Sequence, residues 1–373
     1  MAGFILISLI IAFLYVLRIL KYKSSWESHP AFEETGAGET GISVIAAFRN
    51  ERENLHCLLD ALAKQKYPSS CYEVILVDDH SDDGSTGIAG KFCMENPVFR
   101  LISNNREESG KKDAILNGVK CASFGLVVTT DADCTMTENW LSAIAGFYSH
   151  HKPAMIIGLV DIIETKGFFG KFREIEFLSL IAAGAAAAAA HRPLYCSGAN
   201  LAYDKVIFAY LDDPLKKSAV SGDDMLLMLD LKKKVRHGIL LLKSLQAVVS
   251  TKGVTSWKDF MDQRKRWMSK SRYYSDRDVV YTACLVFINS LLLILSGILC
   301  ITGRHLWLFP VVLAGKTLAD YFFLRSFMRF YGKKPPLLTF VLYEIIYPFY
   351  IVTVAVSGII SGYYWKERYH RVS

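Results

Sequence analysis

From Val279 to Thr302 the chain runs for 24 residues without a formal charge. At about 1.5 Å per residue, a helix of that length covers a hydrocarbon core of about 30 Å. A soluble core helix this long and this uniformly apolar is a poor alternative. A second apolar run occupies residues 1–20, broken only by Arg18 and followed by Lys21 and Lys23. No small-residue cleavage site follows it, so it reads as an uncleaved anchor. The apolar residues, 52% of the chain, are therefore concentrated at its two ends, and the more polar middle carries the chemistry.

Two further C-terminal segments are less uniform. Leu306–Leu324 contains Lys316 and Asp320, four apart on one helical face, and Leu337–Trp365 contains Glu344 and Pro348. A membrane helix holds such residues where they face protein neighbours or headgroups. A Lys–Asp pair satisfying itself inside a helix bundle accounts for the first two, while Pro348 either kinks one span or divides it. The expected organisation is an anchor over 1–22, a Ser-, Glu-, Gly- and Thr-rich linker over 23–40 and a folded domain over 41–255. An interfacial helix over 256–278, a membrane region of about three spans over 279–365 and a basic tail over 366–373 complete it. Lys21, Lys23, the seven Lys or Arg residues from Lys258 to Arg277, and Arg325, Arg329, Lys333 and Lys334 place residues 21–278 in the cytosol. Lys366, Arg368 and Arg371 would fall on the far side if there are four simple spans, against the same rule.

The formal charge of +7 does not point to nucleic acid. Many of the basic residues lie beside the membrane segments, where anionic lipid headgroups attract them, and no zinc-finger or helix-turn-helix pattern is present. Cys57, Cys71, Cys93, Cys121, Cys134, Cys196, Cys284 and Cys300 show no CxxC spacing, which fits a reducing compartment better than a disulfide or zinc framework.

In the middle, short apolar runs alternate with helical spacing. Strands are expected at Ile42–Ala47, Glu73–Val77, Val98–Ile102, Gly125–Thr130 and Ala154–Val160. The helices between them are expected over the Leu55, Leu58, Leu59 and Leu62 repeat, capped by Asn50 or Asn54, and over Ser85–Cys93, Lys111–Cys121 and Thr137–Ser149. This is an α/β pattern, a largely parallel sheet covered on both faces. Ligands of such sheets bind outside the carboxyl ends of the strands. Strand 73–77 runs straight into Asp78-Asp79, and strand 125–130 into Asp131-Ala132-Asp133, so both acidic clusters fall on the binding edge. Gly-x-Gly-x-x-Gly and the Gly-Lys-Ser phosphate loop are both absent, which argues against a dinucleotide enzyme or a simple ATPase.

Each cluster has a plain structural reading beside the chemical one. An Asp-rich turn after a strand is often a solvated loop. If it acts, Asp131-x-Asp133 offers hard oxygens for Mg²⁺ or Mn²⁺ bridging to a diphosphate. Asp78 and Asp79 can accept from ribose hydroxyls or a base N–H, while Asp82, Asp83 or Ser85 caps the next helix. Lys111, opening a helix after Gly110, meets phosphate oxygens or is merely solvated. In Ser221-Gly222-Asp223-Asp224 one acid caps the following helix, leaving the other to act as a general base. Trp257, Phe260, Met261, Arg264, Trp267 and Met268 repeat at helical intervals, an amphipathic helix next to a membrane span. Gly167–Arg192 is a second interfacial candidate, whose Ala182–Ala190 run either leaves room for a lipid tail or sugar or simply favours helix.

Taken in order, Ile42-Ser43-Val44-Ile45 leading to Asn50-Glu51, Val77-Asp78-Asp79-His80-Ser81, Gly110-Lys111-Lys112, Thr130-Asp131-Ala132-Asp133, Ser197-Gly198-Ala199-Asn200, Gly222-Asp223-Asp224 and Gln263-Arg264-Lys265-Arg266-Trp267 make the chain resemble the inverting family 2 glycosyltransferases. The branch is that of cellulose and hyaluronan synthases and ceramide glucosyltransferases. The resemblance spans residues 42–267 and implies a GT-A fold with a metal-dependent transfer from a nucleotide-sugar, in this family most often a UDP-sugar. It assigns Asp78 and Asp79 to the nucleoside, Asp131 to ribose and diphosphate, Asp133 to the metal, Lys111 to the diphosphate and Asp224 to the base. Gln263, Arg266 and Trp267 match the family's Gln-x-x-Arg-Trp motif on the diphosphate and acceptor side, with Asp223 standing where the family often has Glu. The expected acceptor is a membrane lipid. A processive polysaccharide synthase is the alternative and would need a continuous polar path through the bilayer; a noncatalytic scaffold is the reading outside enzymology.

Overall fold

The structure is a computed structural model that describes all residues except 35–39, 105–109, 164–165, 210, 212–222, 236, 361, 366–367 and 371–373. The chain forms two compact units. His29–Ile163 and Tyr195–Gly253 make an α/β unit, while Met1–Ser28, Glu164–Leu194 and Val254–Ser373 make a helical one. Glu164–Leu194 lies inside the stretch read as one domain over 41–255, yet it groups with the apolar helices.

In chain order the helical unit begins with α1 (Ala2–Ser28), which continues six residues into the segment read as linker, 23 to 28. The α/β unit then runs β1 (Ile42–Phe48), α2 (Leu55–Ala63), β2 (Tyr72–Asp78), α3 (Ser85–Glu95), β3 (Phe99–Ser103), α4 (Lys111–Cys121) and β4 (Leu126–Asp131). After these come β5 (Cys134–Met136), α5 (Trp140–His151), β6 (Met155–Gly158) and β7 (Val160–Ile162). The single strand expected over 154–160 is thus divided at Leu159, and its two halves join different sheets. After α6 (Gly167–Ala189), which belongs to the other unit, follow β8 (Leu201–Asp204), α7 (Lys205–Ala209), α8 (Asp223–Lys234), β9 (Ile239–Leu242) and β10 (Val249–Thr251).

The main sheet has the order β3-β2-β1-β4-β8-β6-β9. Its first four strands are parallel, and β8 runs antiparallel to both neighbours. The sheet is therefore mixed. Val74, Ile75, Leu76 and Val77 are completely buried, as a strand covered on both faces requires. Leu55, Leu58, Leu59 and Leu62, the buried stripe of α2, follow the helical spacing read from the sequence.

From β1 the chain steps outward through β2 and β3, then returns to the other side of β1 for β4. The carboxyl ends of β1 and β4 consequently flank a switch point, where open α/β sheets bind ligands. Register fixes what stands there: Phe48 pairs with Asp78 and Ala47 with Asp131.

The helical unit continues through α9 (Trp257–Met268), α10 (Arg277–Ile301), α11 (Leu308–Phe330) and α12 (Leu337–Ile360), which runs unbroken through Pro348. Among the described residues three helices are long and apolar enough to cross a membrane, Ala2–Ser28, Arg277–Ile301 and Leu337–Gly358, giving an integral membrane topology. Helix α11 matches them in length but carries Lys316, Asp320, Arg325 and Arg329. The three C-terminal spans expected are thus two of this kind plus α11. Lys316 pairs with Asp320 at 2.7 Å and also with Glu344, and the Tyr15 hydroxyl donates to Asp320 at 2.9 Å. The Lys–Asp pair is satisfied inside the bundle, with Glu344 and Tyr15 added to it.

In the Ala-rich run, Ala182, Ala185, Ala186, Ala187 and Ala188 are buried, and α6 packs against α1, α11 and α12. Small side chains let these helices approach closely. At the other end of the unit, Tyr363–Trp365 pairs with Arg368–His370, while Lys366 and Arg371 of the basic tail lie outside the described residues.

Candidate active site

Asp131 ends β4, and two residues later the chain enters β5 of a small second sheet, β5-β10-β7. There Thr251 of β10 stands opposite Cys134 and donates its hydroxyl to Asp133 Oδ2 at 3.0 Å. The reversal between the two sheets turns both carboxylates of the Asp-x-Asp triplet toward one region. Lys111, the first residue of α4, donates its ammonium to Asp131 Oδ1. Burial pushes the Asp133 carboxyl up to about 6, and the negative charges of Asp131 and Glu51 push in the same direction. The charges of Asp131 and Glu51 thus both bear on Asp133 at the switch point, and Lys111 opposes them. Among the described residues no set of three or more His, Cys, Asp or Glu side chains forms a metal cage.

In the sequence Glu51 is only the end of the motif that begins at Ile42, with no role assigned. It sits three residues beyond Phe48, where β1 ends at the same edge as Asp131. Asn54 donates to its Oε2 at 2.7 Å, and Lys252, next to Thr251, donates to Asn54 Oδ1 at 2.8 Å. Asn54 occupies the N-cap position of α2 without a side-chain capping bond, so it serves this network instead of the helix.

Asp78 and Asp79, expected to meet the nucleoside directly, are 6% and 5% exposed. Asp78 accepts from the Ser81 amide at 3.1 Å and from the Thr86 hydroxyl at 2.7 Å. Asp79 accepts from the Asn104 amide side chain at 3.0 Å and from the Gly110 N–H at 2.9 Å. Both shape their loops. Gly110 has φ of +121°, a conformation that suits glycine, and there it aims its N–H at Asp79 immediately before Lys111. None of Asp82, Asp83 and Ser85 is the N-cap of α3: that position is Gly84, with no side-chain capping bond, while Asp83 just before it accepts from the Ser85 N–H at 2.9 Å.

A second group forms around residues 197–200. Asp224, in the first turn of α8, accepts from the Gly198 N–H at 3.0 Å. The Thr129 hydroxyl, two residues before Asp131 on β4, donates to the Gly198 carbonyl at 2.9 Å. Asp224 is thereby tied through one peptide to the strand that carries Asp131. Asp223 opens α8; its side chain, Ser221 and Gly222 lie outside the described residues.

Asn200 anchors this loop from below. It is 2% exposed, donates to the Leu159 and Ala247 carbonyls at 2.8 and 2.7 Å, and accepts from the Trp140 indole at 3.1 Å. A Cβ on Gly158 would stand 2.3 Å from the Asn200 side chain. Gly158→Ala is therefore expected to destabilise the α/β unit by at least about 2 kcal/mol, through overpacking and lost buried hydrogen bonds. Thermal unfolding followed by circular dichroism measures it, and an unchanged midpoint would contradict the packing described.

Gln263, Arg266 and Trp267 lie on α9 of the helical unit, and the acidic residues lie in the α/β unit. On α9 the buried side chains are Phe260 and Arg264, 0% and 4% exposed, neither of which is among the three motif residues.

Residues 43–210 match the family model described as Glycosyl transferase family 2. Glycosyltransferase AglE of Haloferax volcanii is 34% identical over 100 residues, covering 27% of this chain and 33% of that protein. Poly-beta-1,6-N-acetyl-D-glucosamine synthase of Staphylococcus epidermidis is 29% identical over 142 residues, covering 38% and 34%. The chain thus spans about a third of the length of the curated relatives it matches. A mannosyltransferase from Pyrobaculum calidifontis, solved with GDP-Man and Mn²⁺, shares the fold over 95% of this chain and 98% of its own, with a TM-score of 0.57 at 17% identity.

Proposed function

We propose that this chain transfers a sugar, with inversion, from a nucleotide-diphosphate sugar of the UDP type to an acceptor hydroxyl, with its α/β unit on the cytosolic face of the membrane. The observation that carries the reading is the meeting of Asp131 and Asp133 at the switch point, where Lys111 donates to Asp131, Thr251 donates to Asp133, and the charges of Asp131 and Glu51 act on Asp133. Asp131 and Asp133 together fit a divalent cation: their oxygens are hard, and they leave most of the coordination shell to phosphate oxygens and water. Asp133 would hold Mg²⁺ or Mn²⁺, which stabilises charge developing on a leaving diphosphate; the similarly folded mannosyltransferase was solved with Mn²⁺.

The residues of the chain do the rest. Asp79 fixes Gly110 and hence the start of α4, from which Lys111 balances Asp131 and meets the diphosphate. Asp78 holds the loop that receives the nucleoside. Asp224, oriented by the Gly198 N–H, takes the proton of the acceptor hydroxyl as its oxygen bonds to the anomeric carbon and the bond to the diphosphate breaks. For Gln263, Arg266 and Trp267 on the diphosphate and acceptor side, and for Asp223 beside the base, the support is the sequence motif.

For the acceptor, the relatives favour the growing end of a polysaccharide over the membrane lipid expected from the sequence, since the staphylococcal proteins are named as polymer synthases. One observation favours a lipid. Lys316 is bonded to both Asp320 and Glu344, and groups so engaged are not the row of open polar groups that a polymer path requires. Incubating the purified protein with nucleotide sugars and a lipid extract, then sizing the products by mass spectrometry, decides between them. A ladder of extended polymer is expected on the first reading; a lipid carrying one sugar would replace it with the second.

A further inference from the structure

The helical unit holds a buried charge pair that the proposed reaction does not use. Glu176 on α6 and Arg264 on α9 are 8% and 4% exposed. Arg264 donates Nε to Glu176 Oε1 at 2.8 Å and Nη2 to Oε2, a two-pronged contact. The Tyr350 hydroxyl of α12 donates to the same Oε1 at 2.8 Å. The guanidinium lies over two rings of its own helix, Phe260 at 4.5 Å and Trp267 at 4.2 Å, and its Nη1 donates to Gln263 Oε1. Arg264 therefore touches two of the three motif residues while a different helix holds it still. Glu174, the other acid of this turn, is engaged by Lys171 at 3.0 Å and Lys333 at 3.5 Å. Desolvation offsets much of the attraction in such a buried pair, so stability alone is a weak reason for it. Geometry is a stronger one.

We infer that Glu176 and Arg264 are positioning residues that set the orientation of Gln263 and Trp267 for sugar transfer. The inference rests on the proposed function in assigning those two residues to the diphosphate and acceptor side. With Oε1 taken by Arg264, the Gln263 amide presents its NH₂ donors, the polarity that phosphate oxygens require. With one face of the indole against the guanidinium, Trp267 keeps the other face for a sugar ring. Lysine cannot replace this arginine, because an ammonium is a point charge that neither forks onto a carboxylate nor stacks on a ring.

The test uses Arg264→Lys and Glu176→Gln in the full-length protein in detergent, with two readouts. The first is the emission of Trp267, obtained by subtracting the spectrum of Trp267→Phe measured in the same background. The second is transfer kinetics. Both variants are expected to shift the Trp267 emission and its quenching, and to lower kcat by about a hundredfold, the cost of a small misplacement, with donor KM little changed. In a Trp267→Ala background, Arg264→Lys should cost less than it does in the wild type, the remaining loss acting through Gln263. Unchanged Trp267 emission in both variants would overturn the inference, as would losses that multiply independently in the double variant. Absence of transfer by the wild-type chain with every nucleotide sugar would refute the functional reading instead, and the emission would then decide the positioning role by itself.

Discussion

Asp224→Asn is expected to lower the transfer rate by on the order of a hundredfold to ten-thousandfold, the range for losing a general base, while donor affinity stays near that of the wild type. The amide is nearly the same size and keeps an oxygen to accept from the Gly198 N–H, so the loop at 197–200 retains its tie to Thr129 and β4. Only the basicity is removed. Asp224→Ala should differ, because it also leaves the Gly198 N–H without its carboxylate and lets the loop relax. Comparing the two by steady-state kinetics and by donor titration separates proton transfer from positioning. If Asp224→Asn transfers sugar at close to the original rate, the base lies elsewhere, and Asp223 beside it becomes the next residue to replace.

Asp133 carries the second large effect. Its carboxyl titrates at about 6, above the usual carboxylate range, because burial and the charges of Asp131 and Glu51 disfavour ionisation. An acid with a raised folded-state value binds its proton more tightly in the folded chain than in the unfolded one. Stability without metal should therefore fall as pH rises from about 4 through about 6, and the penalty is fully present above that. Divalent cation binds the ionised form and opposes the penalty. Mn²⁺ should accordingly raise the melting temperature more at pH 7.5 than at pH 5, and at a hundredfold excess over its Kd the stabilisation is about 2.7 kcal/mol. Asp133→Ala should remove the Mn²⁺ response and lower transfer by on the order of a hundredfold to a thousandfold, as loss of one transition-state contact does. A melting temperature in the variant that still rises with Mn²⁺ would reject Asp133 as a ligand.

Much of the donor half of this site was legible in the sequence. The strands ending in Asp78 and Asp131 announced themselves by β-branched runs leading into acids, and a rule about strand ends then placed both on the binding edge. What could not be read was the register between distant strands. Glu51 enters the site because β1 and β4 are neighbours with Ala47 opposite Asp131, a pairing that no local pattern encodes. Strand β10 was missed for a related reason: three residues with one apolar side chain facing the core make no periodic signal, yet Thr251 is what reaches Asp133. The burial of Asp78 and Asp79 was not legible either: Asp78 accepts from Thr86 eight residues on and Asp79 from Asn104 in a different loop, partners that no local pattern encodes. In the helical unit the spacing on α9 gave an amphipathic helix correctly. It put Arg264 on the same face as Phe260 and Trp267 but could not supply a partner for its charge, and Glu176 on a separate helix is what makes its burial tolerable.

The central claim is that the carboxylates at the ends of β1 and β4 support sugar transfer from a nucleotide-diphosphate donor. It is tested most directly by release of nucleoside diphosphate from a panel of nucleotide sugars, with and without Mn²⁺, by the full-length wild-type chain and by Asp133→Ala. The account predicts release from at least one donor that requires the metal and is lost in the variant, together with a glycosidic product of inverted anomeric configuration. Release that proceeds equally without metal and in the variant would contradict it.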